Sequence, residues 1–199
     1  MAHDAFGGID ILVNNAGGSF GEDGKVHTVD TSTWEKSLGA NLTGPYLCSR
    51  EVIPLMAEGG GGSIVHVSTA NALTGIGATA YSAAKAGLYA LSRMIAVHYG
   101  PHDIRSNVIS LGTIMTEQRQ ERMNNPPTET HQELLDEYPL GRFGWPEEVA
   151  DTVLFLASSR SSFVTGVEFP VDGGLTAGLS QQFHRPVSNV EETPHRRSR

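Results

Sequence analysis

Tyr81 and Lys85 are the first residues whose types and spacing could do chemistry. They stand four apart in a segment with helical periodicity, so both side chains project from one helix face. A free phenol has a pKa of about 10, but a neighbouring ammonium favours the phenolate, typically by about one to three units. Proton exchange near neutral pH then becomes feasible, and Tyr81 could act as a general acid or base. Such a pair also arises by coincidence on a solvated helix. It gains weight from polar groups that close apolar runs: Asn14-Asn15-Ala16-Gly17 after one run, Ser68-Thr69 after another, and Asn41 in the helix between them.

Other candidates carry less. His98 and His102 have the spacing of a metal pair, but Gly100 and Pro101 break the helix between them, so no metal site is expected. His66 lies inside a predicted strand and reads as a packed residue, and Trp34 and Trp145 read as packing residues too. The run from Gly75 to Ala80 resembles G-x-G-x-x-A but begins several residues beyond its strand, so it reads as a substrate-side loop. Gly59 to Gly62 precedes a strand and reads as a flexible connector. Cys48 is alone, which excludes an internal disulfide or CxxC pair, suits a reducing cytosol, and reads as a small buried hydrophobe.

The elements that must position these groups follow from periodicity. Ile9–Asn15 is a short apolar run, expected to be a strand buried on both faces of a parallel sheet. Ser32 with Glu35 fits a capping box, opening a helix with Trp34, Leu38, Leu42, Tyr46 and Leu47 at helical spacing that ends before Gly59. Pro45 lacks the N–H that would pair with the carbonyl of Asn41, which either frees that carbonyl for a water or simply kinks the helix. Ser63–Thr69 is the next strand, and Ala80–Tyr99 a helix with Leu88, Leu91 and Ile95 on one stripe. Ile104–Ser110 is a third strand, Glu147–Ala157 a helix, and Val167–Val171 a last strand in which Pro170 suits an edge.

This alternation predicts an α/β fold with a doubly wound parallel sheet, since parallel neighbours need crossover helices. The segment 116–138 interrupts it with a long insertion of the kind that forms lids. The domain is expected over residues 1–178, and the aperiodic stretch 179–199 reads as a flexible polar tail.

The 199 residues, 39% hydrophobic and 18% charged, suffice for one ordinary domain with its own core. A formal charge of −8 leaves no basic stripe, so nucleic acid is not an expected partner. No apolar run approaches the roughly 18 residues that span a bilayer, so a membrane is not expected either, and the chain reads as soluble and cytoplasmic.

In order along the chain, LVNNAG, ANLTG, the strand-end hydroxyls, YSAAK, GTIMT, PLGRFGWPEEVA, FLAS, FVTG and VDGG resemble the motif series of the short-chain dehydrogenase/reductase family, from about Phe6 to Gly174. The resemblance implies a Rossmann-like sheet and an oxidoreductase that moves hydride between a nicotinamide, NAD or NADP, and a small-molecule carbonyl or alcohol. It implies Tyr81 as general acid/base, Lys85 as the residue that holds the nicotinamide ribose and lowers the Tyr81 pKa, and Asn41 as the anchor of a relay water. Asn15, Ala16 and Gly17 would border the cofactor, and Gly112, Thr113, Ile114 and Thr116 would pack around its carboxamide. A dimer or tetramer formed through the two long helices is implied as well. The small residues Ala83, Ala84, Ala86, Gly87 and Ala90 would admit another helix.

Three departures from the family pattern stand out. The substrate-binding hydroxyl, usually Ser, falls on Thr69 by strand counting and on Ser68 by loop spacing, with Thr69 slightly favoured. Leu111 replaces a Pro and is expected to loosen the turn beside the nicotinamide. The first βαβαβ units, with the Gly-rich phosphate loop, are absent, so the sheet is expected to be incomplete, with the first strand uncovered and adenine-side binding weakened. A late start site, a genuine fragment, or completion by a partner would each account for this. The alternative to an enzyme is a non-catalytic Rossmann-like fragment or scaffold that does not bind cofactor. Substrate choice is expected to lie in the loop after Gly17 and in the lid.

Overall fold

The structure, a computed structural model, describes residues 2–123 and 129–178. Its elements are α1 (Ala2–Phe6), β1 (Ile11–Asn14), α2 (Thr31–Leu38), α3 (Gly44–Glu58), β2 (Gly62–Thr69), α4 (Thr79–Tyr99), β3 (Ile104–Leu111), α5 (Glu117–Met123), α6 (Glu129–Asp136), α7 (Pro146–Ala157) and β4 (Glu168–Val171). The strands form one parallel sheet in the order β1-β2-β3-β4, so the α/β class holds.

Period-two alternation splits the core between the two faces. Ile64 of β2 and Ile104 of β3 meet Ile53 and Met56 of α3 and Ile95 of α4. Val65, Val67 and Ile109 point the other way, against Leu156 of α7. The strands advance in one direction while the covering helix changes face, so the β3-to-β4 crossover has the opposite hand to the first two, against the usual preference. It is held by polar staples. Asn107 Nδ2 donates to the Val164 carbonyl, and Val167 N donates to Asn107 Oδ1. The Arg105 guanidinium donates to the carbonyls of Leu156 and Ser158 and to Ser161 Oγ, gathering the exposed end of α7.

Several expectations are corrected. β1 is an uncovered edge strand, as the family resemblance implied, and not one buried on both faces as its apolar run alone suggested: Ile11 and Val13 are 50% and 39% exposed, because α7 packs against β2, β3 and β4 and leaves that side of β1 open. β4 is the other edge, as Pro170 anticipated. The helix from Ser32 is two helices joined by a π turn at Gly39–Thr43, where Gly44 N donates to the Gly39 carbonyl. Pro45 therefore opens α3 instead of interrupting a helix. The Ser32–Glu35 box does not form, since the N-cap position falls two residues earlier, at Asp30.

The π turn also rotates the helix face. Ser37, Asn41, Pro45, Ser49, Ile53 and Met56 are the buried positions, while Trp34, Tyr46, Leu47 and Cys48 are exposed. Small inward side chains let the backbone come close, which pushes the larger apolar residues outward. Gly87 accommodates this chain's own Leu42, for a Cβ there would lie 2.7 Å from Leu42 Cδ2. Trp145, just before α7, is likewise 43% exposed.

Gly59–Gly62 is a tight turn and not a loose connector. Gly61 has φ +129°, and a Cβ on Gly62 would lie 2.6 Å from Met56 Sδ. The 116–138 insertion contains α5 and α6, neither anticipated. The tail expected at 179–199 lies outside the described residues.

Arg105→Met removes charged donors from carbonyls that the end of α7 cannot satisfy by itself. The expected result is a loss of about 2 kcal/mol in unfolding free energy, measured by urea denaturation.

Candidate active site

In a parallel sheet all strands end on the same side, and ligands collect beyond those ends. Here the ends of β1, β2 and β3 border one cavity of about 990 Å³, the upper end of the usual size for a ligand pocket. Asn15 and Gly17 follow β1, Ser68 and Thr69 end β2, Tyr81 and Lys85 come from α4, and Gly112, Thr113, Ile114 and Thr116 follow β3; all line this cavity. Two expected residues do not, Ala16 and Asn41. Ile76 lines it, in keeping with a substrate-side loop at Gly75–Ala80, and Arg119, Leu134 and Glu137 come from the insertion.

Asn41 is fully buried beneath the site. Its Nδ2 donates to the carbonyls of Gly18 and Ser37, and its Oδ1 accepts from Gly18 N. The amide therefore clasps Gly18 of the loop after β1 with one proton and its oxygen, and spends the other proton on α2. A Cβ on Gly17 would lie 2.4 Å from Asn41 Oδ1 and 3.3 Å from Lys85 Nζ. Only a bare backbone passes there.

Lys85 is almost wholly buried, and its Nζ donates to the Val67 carbonyl at 2.7 Å. Burial lowers its pKa to about 8. Burial raises the pKa of Tyr81. The expected lowering by Lys85 is thus not seen. The ammonium sits 5.8 Å from the Tyr81 ring centroid and is directed at a carbonyl, so desolvation of the phenolate prevails.

The two candidate hydroxyls are told apart by their partners. Ser68 Oγ is buried, donates to the Lys85 carbonyl and lies 3.2 Å from the Tyr89 hydroxyl. Thr69 Oγ1 accepts from Asn71 N. Leu111 continues β3, in register with Thr69 on one side and Val171 on the other, so there is no turn at that position to loosen.

Sequence reasoning missed three residues here. Tyr89 donates to the Thr69 carbonyl and lies 3.0 Å from Ser110 Oγ, tying β2 to β3 behind the site. Its place, four beyond Lys85 and eight beyond Tyr81, was a legible signal. Tyr138 is buried, accepts from Thr113 N at 2.7 Å and packs edge-on against Phe143, anchoring the end of the insertion. Asp23 binds the start of α4. No spacing announced either of the last two.

His66 lies beside this machinery with no solvent exposure. Asn14 Nδ2 donates to Ser49 Oγ and faces His66 Nδ1 at 3.2 Å. Nδ1 must then accept, which leaves the proton on Nε2, an atom without a partner among the described residues. Burial, helped by the nearby Lys85 charge, lowers the His66 pKa to about 4.

A family profile described as enoyl-(acyl carrier protein) reductase matches residues 1–176. An uncharacterized oxidoreductase of Schizosaccharomyces pombe is 45% identical over 173 residues, 86% of this chain and 66% of that protein. A crystal structure of a short-chain dehydrogenase/reductase family oxidoreductase from Burkholderia thailandensis superposes with a TM-score of 0.83 at 35% identity, covering 89% of this chain and 68% of the other. The chain belongs to the short-chain dehydrogenase/reductase family. It spans about two thirds of the length of those relatives. One family member, from Xanthobacter autotrophicus, is named an inactive 2-(S)-hydroxypropyl-CoM dehydrogenase and is 39% identical over 88% of this chain and 77% of its own length.

The buried His66 gives the fold a pH dependence with a definite sign. Below about pH 6.5 the unfolded chain binds a proton that the folded chain refuses until about pH 4. Stability present at neutrality is therefore lost as pH falls through that window, by about 3 kcal/mol at pH 4. Urea midpoints between pH 7.5 and 4.5 are expected to drop more steeply for the parent than for His66→Gln, which carries no titrating ring.

Proposed function

We propose that this protein transfers hydride between a nicotinamide cofactor, NAD or NADP, and a carbonyl or secondary alcohol, with Tyr81 as general acid/base. The observation that carries this reading is the meeting of Tyr81, Lys85 and Thr69 on one cavity at the strand ends. The residues fit a nicotinamide riboside. Gly17 leaves a side-chain-free edge beside Lys85, and Gly112 to Ile114 offer a second wall. Lys85 would hold the ribose hydroxyls, Asn15, Ala16 and Gly17 would border the group, and Gly112, Thr113, Ile114 and Thr116 would pack about its carboxamide. The bound cofactor supplies or accepts the hydride.

The chain's own groups then manage the oxygen. Burial keeps the Tyr81 phenol protonated at neutral pH, the state that delivers a proton to a carbonyl oxygen under reduction. Lys85, with a pKa of about 8, remains mostly charged at neutrality, the form that donates to ribose hydroxyls. Thr69 uses a lone pair on Asn71 N, which leaves its O–H proton for the substrate oxygen. Ser68 is already engaged with α4 and serves to brace it. With its amide committed to Gly18 and Ser37, Asn41 would anchor a relay water through its main-chain carbonyl, which Pro45, lacking an N–H, cannot occupy.

Residues 116–138 act in this reading as a lid, with Arg119, Leu134 and Glu137 on the cavity wall. Tyr46, Leu47, Met94 and Val97 are exposed on α3 and α4, in line with assembly of copies through those helices. Cys48, a free thiol on the surface, accords with a cytoplasmic setting. A non-catalytic member is the second reading, favoured by the relative named as inactive.

Nicotinamide fluorescence titration of the purified chain is expected to give saturable binding of NADH or NADPH. Turnover of cyclohexanone should fall at least about a hundredfold in Tyr81→Phe with cofactor binding retained, fall in Thr69→Val, and persist in Thr69→Ser. Equal turnover by Tyr81→Phe would remove Tyr81 from the chemistry. A folded chain that binds neither cofactor would establish the second reading.

A further inference from the structure

The helix that carries Tyr81 begins without a cap of its own. Ala78 stands at its N-cap and offers no side-chain acceptor, so the first N–H groups of α4 need partners from elsewhere. Two of them find the same residue. Ala80 N donates to Asp23 Oδ1 and Tyr81 N to Asp23 Oδ2, each at 2.8 Å, across 57 and 58 positions of sequence. One carboxylate thus spans the second and third N–H groups of the helix, where charge-assisted bonds and the helix dipole both favour an anion. Thr79 Oγ1 donates beside them to the Gly24 carbonyl.

No residue of the segment 18–30 lines the cavity. The loop after Gly17 reaches the backbone of the catalytic helix through Asp23. Tyr81 is the third residue of α4, within the turn that Asp23 binds, so the direction of its phenol depends on that turn.

We propose that Asp23 is a positioning residue for Tyr81: from the loop after β1, its carboxylate sets the first turn of α4 and thereby the placement of the phenol. The kinetic consequence rests on Tyr81 being the acid/base; the placement itself does not. A residue that merely fastened the loop would behave differently, because a cap built into the helix could not replace it.

The test places 3-fluorotyrosine at position 81 of the 199-residue chain and reads its ¹⁹F resonance together with amide exchange at Ala80 and Tyr81. The parent is expected to show one narrow resonance and slow exchange. Asp23→Ala is expected to broaden or split the resonance and speed exchange. Asp23→Ala/Ala78→Ser, in which a local hydroxyl accepts from the third N–H group, is expected to recover both. Asp23→Asn keeps one acceptor and should fall between, and it serves in place of Asp23→Ala if that variant does not fold. In turnover, kcat should drop about tenfold to a hundredfold in Asp23→Ala with little change in KM, and return in the double variant.

A resonance unchanged by loss of the carboxylate overturns the proposal. So does a double variant whose first turn is protected again while the Tyr81 resonance stays broadened, since Asp23 would then be a loop fastener. A parent chain without Tyr81-dependent turnover would overturn the oxidoreductase reading and leave the ¹⁹F comparison intact.

Discussion

Everything at the site depends on the pairing of β2 with its two neighbours. Backbone N–H and C=O groups buried in a sheet must be paired, and the eight-residue register of β2 on β3 satisfies them from Gly62 to Thr69. β1 adds a shorter ladder on the other side, in which Asn14 stands opposite His66. Because all the ladders are parallel, their carboxyl ends coincide, and residues 15–17, 68–69 and 111–114 arrive at one edge. A slip of one residue would exchange the faces of β2. Ser68 would then leave α4, and Val65 and Val67 would leave Leu156.

Behind that edge lies a second constraint, the burial of a charge. Lys85 is held in the interior by the Val67 carbonyl, and its neighbours answer to it. Ser68 and Tyr89 brace the same turn of α4 against β2 and β3, and His66 is kept neutral partly by that charge. A buried ammonium needs hydrogen-bond partners to be tolerated. The same desolvation that lowers its pKa raises that of Tyr81. Burial therefore moves the two groups apart in pKa, Lys85 downward and Tyr81 upward, and the ammonium, 5.8 Å from the Tyr81 ring centroid, does not reverse this.

The polar residues around this centre work mostly on backbone. Asn41 clasps Gly18, Asp23 holds the amides of Ala80 and Tyr81, Asn107 pins the chain before β4, and Tyr138 accepts from Thr113 N. Each ties a loop to an element of the sheet or its helices. Such groups fix loop geometry mostly from outside the cavity; of these four only Tyr138 lines it, alongside Thr69, Tyr81, Lys85 and the insertion's Arg119, Leu134 and Glu137.

The sequence by itself determined the alternation of strands and helices, the family, and the convergence of Tyr81, Lys85 and the strand-end hydroxyls, because these depend on periodicity and on spacing within single elements. Tyr89 was legible by the same rule and was overlooked. Other features were decided only by the tertiary structure. The inward face of α2 and α3 runs through Ser37, Asn41, Pro45 and Ser49 across the π turn at Gly39–Thr43, which leaves Trp34, Tyr46 and Cys48 exposed. Packing selected Thr69 over Ser68 as the hydroxyl still free to donate, since Ser68 is taken by a carbonyl 17 residues away. Asp23 became the cap of α4 across 57 residues. Local pattern encodes what an element is and which way its side chains alternate; a hydrogen bond between distant segments exists only once the chain has folded to bring them within reach.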